Sequence, residues 1–186
     1  MVLIFSAPSG AGKSTLVRYL LSQRNDLEFS ISATTRAPRG TEVHGKEYYF
    51  LTADDFRNRI AGNEFIEYEQ VYKDCYYGTL KSEVERIEGK NHHAVFDIDV
   101  KGGLNVKRIY GKDALAIFVA PPSLKILEQR LRDRATDSEE KIRERIAKAE
   151  EECSYAEQFD CIIVNDDLLT AEKEILTIVN NFLNNK

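Results

Sequence analysis

The stretch Ala7-Pro8-Ser9-Gly10-Ala11-Gly12-Lys13-Ser14-Thr15 carries the clearest chemistry in this sequence. It has Walker A spacing, except that Ala7 stands at the opening glycine position. Gly10 and Gly12 let the backbone wrap closely, so that successive N–H groups point inward at phosphate oxygens. An apolar strand precedes the loop and a helix follows it, which adds the positive end of a helix to the site. Lys13 is spaced to reach the β- and γ-phosphates of a donor, and the Ser14 hydroxyl to bind Mg2+. With Ser9, Gly10, Ala11, Gly12 and Thr15, these residues make an expected ATP site. Ala7 fits if its φ is negative.

A strand ending in acids is expected beside such a loop, and Ala94-Val95-Phe96-Asp97-Ile98-Asp99 supplies one. Alternation places Asp97 and Asp99 on one face and Ile98 on the other. Two carboxylates so close repel unless a cation or a donor meets one of them. Asp97 is assigned to water-bound Mg2+ or an arginine, and Asp99 to the phosphoryl acceptor. Ordinary strand-end acids are the alternative reading.

The loop alone does not separate kinases from GTPases, ATPases or transporters. A guanine-reading GTPase segment needs a Lys that Asn165-Asp166-Asp167 lacks. The non-helical run from Ser30 to Gly40 sets Arg36 and Arg39 three residues apart, and guanidinium forks suit the oxygens of a nucleotide monophosphate. Tyr48 and Tyr77 can donate hydroxyls to the same group. Glu67 sits in a strand-like segment, where a carboxylate can accept from both N1–H and the exocyclic amine of guanine. Thr79 and Ser32 are candidate donors to guanine O6, and Asp99 an acceptor from its amine. A solvated basic loop and a surface glutamate are the plain alternatives.

These side chains need a scaffold. Strand-like runs at Val2 to Ser6, Phe29 to Ser32, Ala94 to Ile98, Leu115 to Ala120 and Cys161 to Val164 alternate with helical patterns. The helices are expected over about Lys13 to Gln23, Leu104 to Tyr110, from Ser123, Ser138 to Glu157 and Ala171 to Leu183. Such alternation implies an α/β fold with a mostly parallel sheet covered on both faces. Between residues 33 and 90 the texture becomes aromatic and strand-rich. Strands are expected at Glu47 to Leu51 and Glu64 to Val71, a helix capped by Thr52, and a turn at Tyr76 to Thr79 leading into another helix. Residues 1–32 and 91–186 then form a core, and 33–90 an inserted subdomain.

A chain of 186 residues with 42% apolar and 31% charged residues is of ordinary globular composition. A formal net charge of -5 argues against broad binding to nucleic acid or anionic membranes. There is no membrane-length apolar run, and the start has no signal-peptide pattern. Cys75, Cys153 and Cys161 have no metal-ligand spacing. A cytoplasmic protein without an obligate protein partner is expected.

The segments APSGAGKSTL, SATTRAPRG, EVHGKEYYF, EFIEYEQV, YYGT, FDIDVKGG, RLRDRATDSEE and IIVNDD together resemble the guanylate kinase family over essentially the whole chain. The resemblance implies a P-loop three-layer core, a mobile GMP-binding subdomain and an Arg-rich lid over about residues 130–145. Carried onto matching residues, it puts Ser32, Glu67, Thr79 and Asp99 around guanine, and Arg36, Arg39, Tyr48 and Tyr77 around the GMP phosphate. Lys13, Arg39, Arg134 and Arg145 would be catalytic, Asn165 a contact to ATP, and Ser14 and Asp97 (through water) the Mg2+ side. The implied reaction moves the γ-phosphoryl group of MgATP to GMP, and to dGMP, with the subdomain and lid closing to exclude water. The sequence departs from the family pattern by one extra residue in the turn before Tyr76, by Ala135 where glycine is common, which would stiffen the lid hinge, and by Lys101. Another small-nucleotide kinase, for AMP or UMP, is the alternative enzyme. A non-catalytic scaffold of the same fold is the alternative of a different class.

Overall fold

The computed structural model describes residues 1–134 and 137–184. Ala135, the proposed stiff hinge, and Thr136 lie outside the described residues. In chain order the first elements are β1 (Val2–Ser6), α1 (Lys13–Gln23), β2 (Leu27–Phe29), β3 (Ala33–Thr34), β4 (Tyr49–Phe50) and α2 (Ala53–Ala61). Then follow β5 (Phe65–Tyr72), β6 (Cys75–Leu80), α3 (Lys81–Glu88), β7 (His93–Asp97) and α4 (Val100–Tyr110). The chain ends with β8 (Ala114–Ala120), α5 (Leu124–Asp133), α6 (Glu139–Cys153), β9 (Cys161–Val164) and α7 (Leu168–Asn184). Two compact units result, one of Met1–Asn25 with Val95–Lys186 and one of Asp26–Ala94.

The first unit is built on strands ordered β7-β1-β8-β9, with β1–β8 and β8–β9 parallel. Every residue of β1 is buried, and so is β8 as far as Val119. Such continuous apolar strands need cover on both faces. Helix α4 packs on β1 and β8, and α1 packs on α7. The register pairs Ser6 with Phe118 and Ala120 with Val164, so the parallel strands end together beside the loop that follows β1.

Helix α4 begins four residues earlier than the apolar pattern suggests, because the Asp99 carboxylate caps it by accepting from Lys101 N and Gly102 N. Glycine is needed at 103 by proximity: a Cβ there would lie 2.7 Å from Ser6 Oγ. Ser123 and Ser138 cap α5 and α6 as their positions in the sequence imply. Helix α7 starts at Leu168 instead of Ala171, with Asp167 Oδ1 accepting from Thr170 N at 2.9 Å.

The second unit holds a sheet ordered β4-β3-β6-β5. Its core is Ala33, Phe56, Phe65 and Leu80, with Phe56 stacked on Phe65 at 4.3 Å and on Tyr76 at 5.1 Å. Two sequence expectations are corrected here. Tyr76 to Thr79 is not a turn: it lies within β6, which pairs antiparallel with both β3 and β5 and uses its backbone groups in those ladders. The strand expected at Phe29 to Ser32 is β2, over Leu27–Phe29. Beyond it, Ile31 N–H donates at 2.9 Å to the buried Glu83 carboxylate, which also accepts from Tyr49 Oη at 2.8 Å and pairs with Arg86. That satisfied carboxylate fixes the stretch leading to Ser32. Before the turn into β6 there is a bulge: Gln70 opposes Tyr76 and Tyr72 opposes Cys75, which leaves Val71 unpaired.

Phe56→Ala removes the ring on which the second unit packs, and a loss of about 3–5 kcal/mol is expected there. Native-state hydrogen exchange should show the loss in amides of residues 26–94, with the β1 and β8 amides unchanged.

Candidate active site

The loop after β1 turns at Gly10 (φ 99°) and Gly12 (φ 95°), both in the left-handed region, and Gly12 leads directly into α1. Ala7 is absent from the described residues with positive φ, so alanine meets no backbone strain there. The loop is closed by Ala11 N–H donating to Pro8 O at 3.1 Å and Thr15 N–H to Gly12 O at 3.0 Å. Beside it is a cavity of about 580 Å³, lined among others by Lys13, Ser14, Asp97, Asp99, Arg134 and Glu152.

Lys13 Nζ is ion-paired with Asp97 Oδ1. Burial pulls the ammonium down to about 8, against the opposing pull of Glu152 and Asp99. Asp97 therefore meets the lysine of the loop, a partner not named from the sequence. Asp99 lines the same cavity with its carboxylate on the α4 N-terminus, and Ser6 Oγ braces the turn by donating to Ile98 O at 3.0 Å. Ser14 is exposed at the cavity.

The arginine cluster separates by role. Arg145 hydrogen-bonds to Ser9 Oγ and pairs with Asp137 at 3.3 Å, which ties α6 to the loop. Arg134 lines the cavity. Arg132 is instead a surface residue paired with Glu128 and Glu139. Arg130 Nη2 donates at 2.9 Å to the backbone carbonyl of Asn165. Asn165, just after β9, is 6% exposed and its amide donates at 2.7 Å to Ala11 O.

Glu152 was not singled out by the motifs. Burial raises its carboxyl above the ordinary glutamate range, Lys148 and Lys13 oppose that shift, and Asp99 adds to it. The signal was its place three residues after the buried Ala149 on the inward stripe of α6.

In the second unit, β5 and β6 bring Glu67 and Thr79 directly opposite each other, and the fully buried Thr79 Oγ1 donates to Glu67 Oε1 at 2.8 Å. A second register shift, between Phe65 and Glu67, aims that carboxylate. Arg36 is placed by three groups. Its Nε donates to Tyr77 Oη at 3.1 Å, its guanidinium lies 4.8 Å from the Tyr48 ring centroid, and its fork meets Glu42 at 2.6 and 2.7 Å. Glu42 also accepts from Arg39 N–H at 2.8 Å, and these donors hold its carboxyl down to about 2. Glu42 was missed as well, because spacing in a loop without periodicity does not single out one acid. The Arg39 side chain is exposed, and Ser32 O accepts from Tyr49 N–H at 2.9 Å. Ser32, Arg36, Arg39, Tyr48, Glu67, Tyr77 and Thr79 thus all belong to the second unit, and Asp99 to the first.

A parallel α/β sheet whose first strand enters a glycine loop ending in Gly-Lys-Ser at a helix start defines a P-loop nucleotide-binding protein. The family model described as guanylate kinase matches residues 1–183, and the chain belongs to the guanylate kinase family. The guanylate kinase of Bacteroides thetaiotaomicron is 59% identical, with 98% of this chain and 90% of that protein covered. That of Porphyromonas gingivalis is 54% identical, with 98% and 97% covered. The crystal structure of guanylate kinase from Anaplasma phagocytophilum superposes with a TM-score of 0.74 at 29% identity, covering 97% of this chain and 84% of that one. A shikimate kinase structure at 13% identity and TM-score 0.53 shares the fold alone.

Asp97 is the carboxylate in direct contact with the buried Lys13 ammonium, and such a partner favours the charged form beside the pull of Glu152 and Asp99. Asp97→Asn should therefore drive the Lys13 titration further below about 8, read by NMR of lysine-labelled protein. An unchanged titration would contradict the pairing.

Proposed function

We propose that this chain transfers the γ-phosphoryl group of MgATP to GMP, and to dGMP, giving ADP and GDP or dGDP. The observation that carries the acceptor assignment is the Glu67–Thr79 pair, a carboxylate and a hydroxyl opposed on neighbouring strands. A carboxylate in that place accepts from guanine N1–H and its amine, a pattern adenine does not offer. Thr79, Ser32 and Asp99 complete the base reading. Arg36 and Arg39, with the Tyr48 and Tyr77 hydroxyls, hold the acceptor phosphate, so Arg36 must exchange its bond to Glu42 for one to the nucleotide.

On the donor side Ser9, Gly10, Ala11, Gly12, Lys13, Ser14 and Thr15 hold the triphosphate. The oxygen donors Ser14, Asp97, Asp99 and Glu152 line one cavity, and their chemistry fits a hard cation such as Mg2+. Among the described residues no group of three or more His, Cys, Asp or Glu forms a cage, so the fit is to an ion completed by water and phosphate oxygens. Ser14 would hold it directly and Asp97 through water. When bound, Mg2+ offsets charge on the β- and γ-phosphates.

A GMP phosphate oxygen forms the new bond to the γ-phosphorus as the bond from phosphorus to the β,γ-bridging oxygen breaks, and its electron pair leaves with ADP. The attacking oxygen is already anionic, so no general base is needed. Accordingly His44, His92 and His93 have no part in the reaction, and His44 Nδ1 accepts from Phe50 N–H at 3.1 Å. Catalysis comes from positioning and from Lys13, Arg39, Arg134 and Arg145 meeting the charge on the transferred group. No described helix is long and apolar enough to cross a membrane; the proposed enzyme acts on small nucleotides in the cytoplasm and needs no obligate protein partner.

A coupled ADP-production assay with MgATP and GMP, dGMP, AMP, UMP, CMP or no acceptor tests this reading. Turnover confined to GMP and dGMP is expected. Strong turnover with AMP or UMP overturns the base assignment, and no acceptor-dependent turnover in folded protein overturns the enzyme. Glu67→Gln should raise the KM for GMP roughly tenfold to a hundredfold with little change in the KM for ATP.

A further inference from the structure

The amide of Asn165 is buried against the phosphate loop, and chemistry fixes its orientation. The atom facing it at 2.7 Å is the Ala11 carbonyl oxygen, an acceptor, so the side chain must present Nδ2. Ala11 O belongs to the same peptide group as Gly12 N–H. That peptide is trans, so its C=O and N–H point in opposite directions. Holding the carbonyl towards Asn165 therefore turns the Gly12 N–H the other way.

Three other contacts make Asn165 a rigid support. Its backbone N–H donates to Ala120 O at 2.9 Å, which continues the β8–β9 pairing by one step. Its carbonyl accepts from Arg130 Nη2 at 2.9 Å, which joins α5 to the same point. The amide also lies so close over Gly12 that a Cβ on that residue would collide with Nδ2. Gly12, already at φ 95°, thus carries no side chain for two reasons, and the second belongs to Asn165.

We propose that Asn165 is a positioning residue for phosphoryl transfer: its amide locks the Ala11–Gly12 peptide so that the loop offers its N–H groups to the phosphate chain of the donor. It acts on ATP through the loop. The inference rests on the reading of that loop as the triphosphate site. It gives Asn165 a different task from reading the adenine or ribose, although the residue also borders a second cavity of about 340 Å³ with Thr15 and Arg130.

The two tasks separate when the nucleoside is removed. Binding of MgATP and of magnesium tripolyphosphate is measured by calorimetry for the unaltered protein, Asn165→Asp and Asn165→Ala, with GMP as a control. Asn165→Asp keeps the shape and replaces the donor by an acceptor facing Ala11 O; Asn165→Ala serves if the aspartate variant does not fold. Loss of the bond should weaken ATP and tripolyphosphate by the same factor, roughly tenfold, and leave GMP affinity unchanged. Weakened ATP with tripolyphosphate at its original affinity would mean a direct contact to the nucleoside and overturn the proposal. Unchanged binding of both would overturn it too. Failure of the unaltered protein to bind tripolyphosphate would instead remove the phosphate-loop reading on which the proposal stands.

Discussion

A lysine ammonium held where little water reaches it is the constraint around which the first unit is arranged. Lys13 sits at the first position of α1, its side chain is only 18% exposed, and burial alone would push it towards neutrality. An adjacent carboxylate opposes that tendency. Asp97 can serve because β7 and β1 are neighbours in the sheet, and the end of β7 delivers the acid beside the loop that follows β1. The buried apolar strands, Ser6 under the Asp99 turn, and Arg145 on Ser9 all hold that small region in place. The result is a preformed ammonium–carboxylate pair, and a bound phosphate chain can share the ammonium with Asp97.

The second unit solves a similar problem with a different cation. Arg36 is oriented by an aromatic face, a tyrosine hydroxyl and the paired oxygens of Glu42. Because the Arg36 fork and the Arg39 N–H hold the Glu42 carboxyl down to about 2, the guanidinium has an anionic partner throughout the physiological range. A phosphate that replaces this carboxylate exchanges one bidentate partner for another, so the fork needs little reorganisation. Glu67 is likewise held before any ligand arrives, by the Thr79 hydroxyl.

What could be read from the sequence followed the range of the interactions. The loop from Ala7 to Thr15, a strand within a residue of its end at Asp97, the cap Thr52, and the helix starts at Ser123 and Ser138 are local patterns, and they were legible. The fold class followed from alternation of apolar strands and helices. Tyr76 to Thr79 was misread because Tyr-Gly sequences suit turns, and only pairing on both sides by β3 and β5 makes the segment a strand. The partners of Lys13 and Arg36 were hidden for a related reason. Asp97 is 84 residues from Lys13, so their contact depends on strand order, which hydrophobic alternation does not encode. Glu42 lies close to Arg36 in sequence, but a loop without periodicity gives no means of telling which acid folds back.

Lys13 is the charge on which the proposed phosphoryl transfer most depends. Lys13→Met removes that charge and keeps an unbranched side chain, and its turnover with saturating MgATP and GMP is the most direct measurement. A fall of roughly a hundredfold to a thousandfold is expected, with GMP affinity unchanged. Turnover near the original rate in the folded variant would contradict the account at its centre.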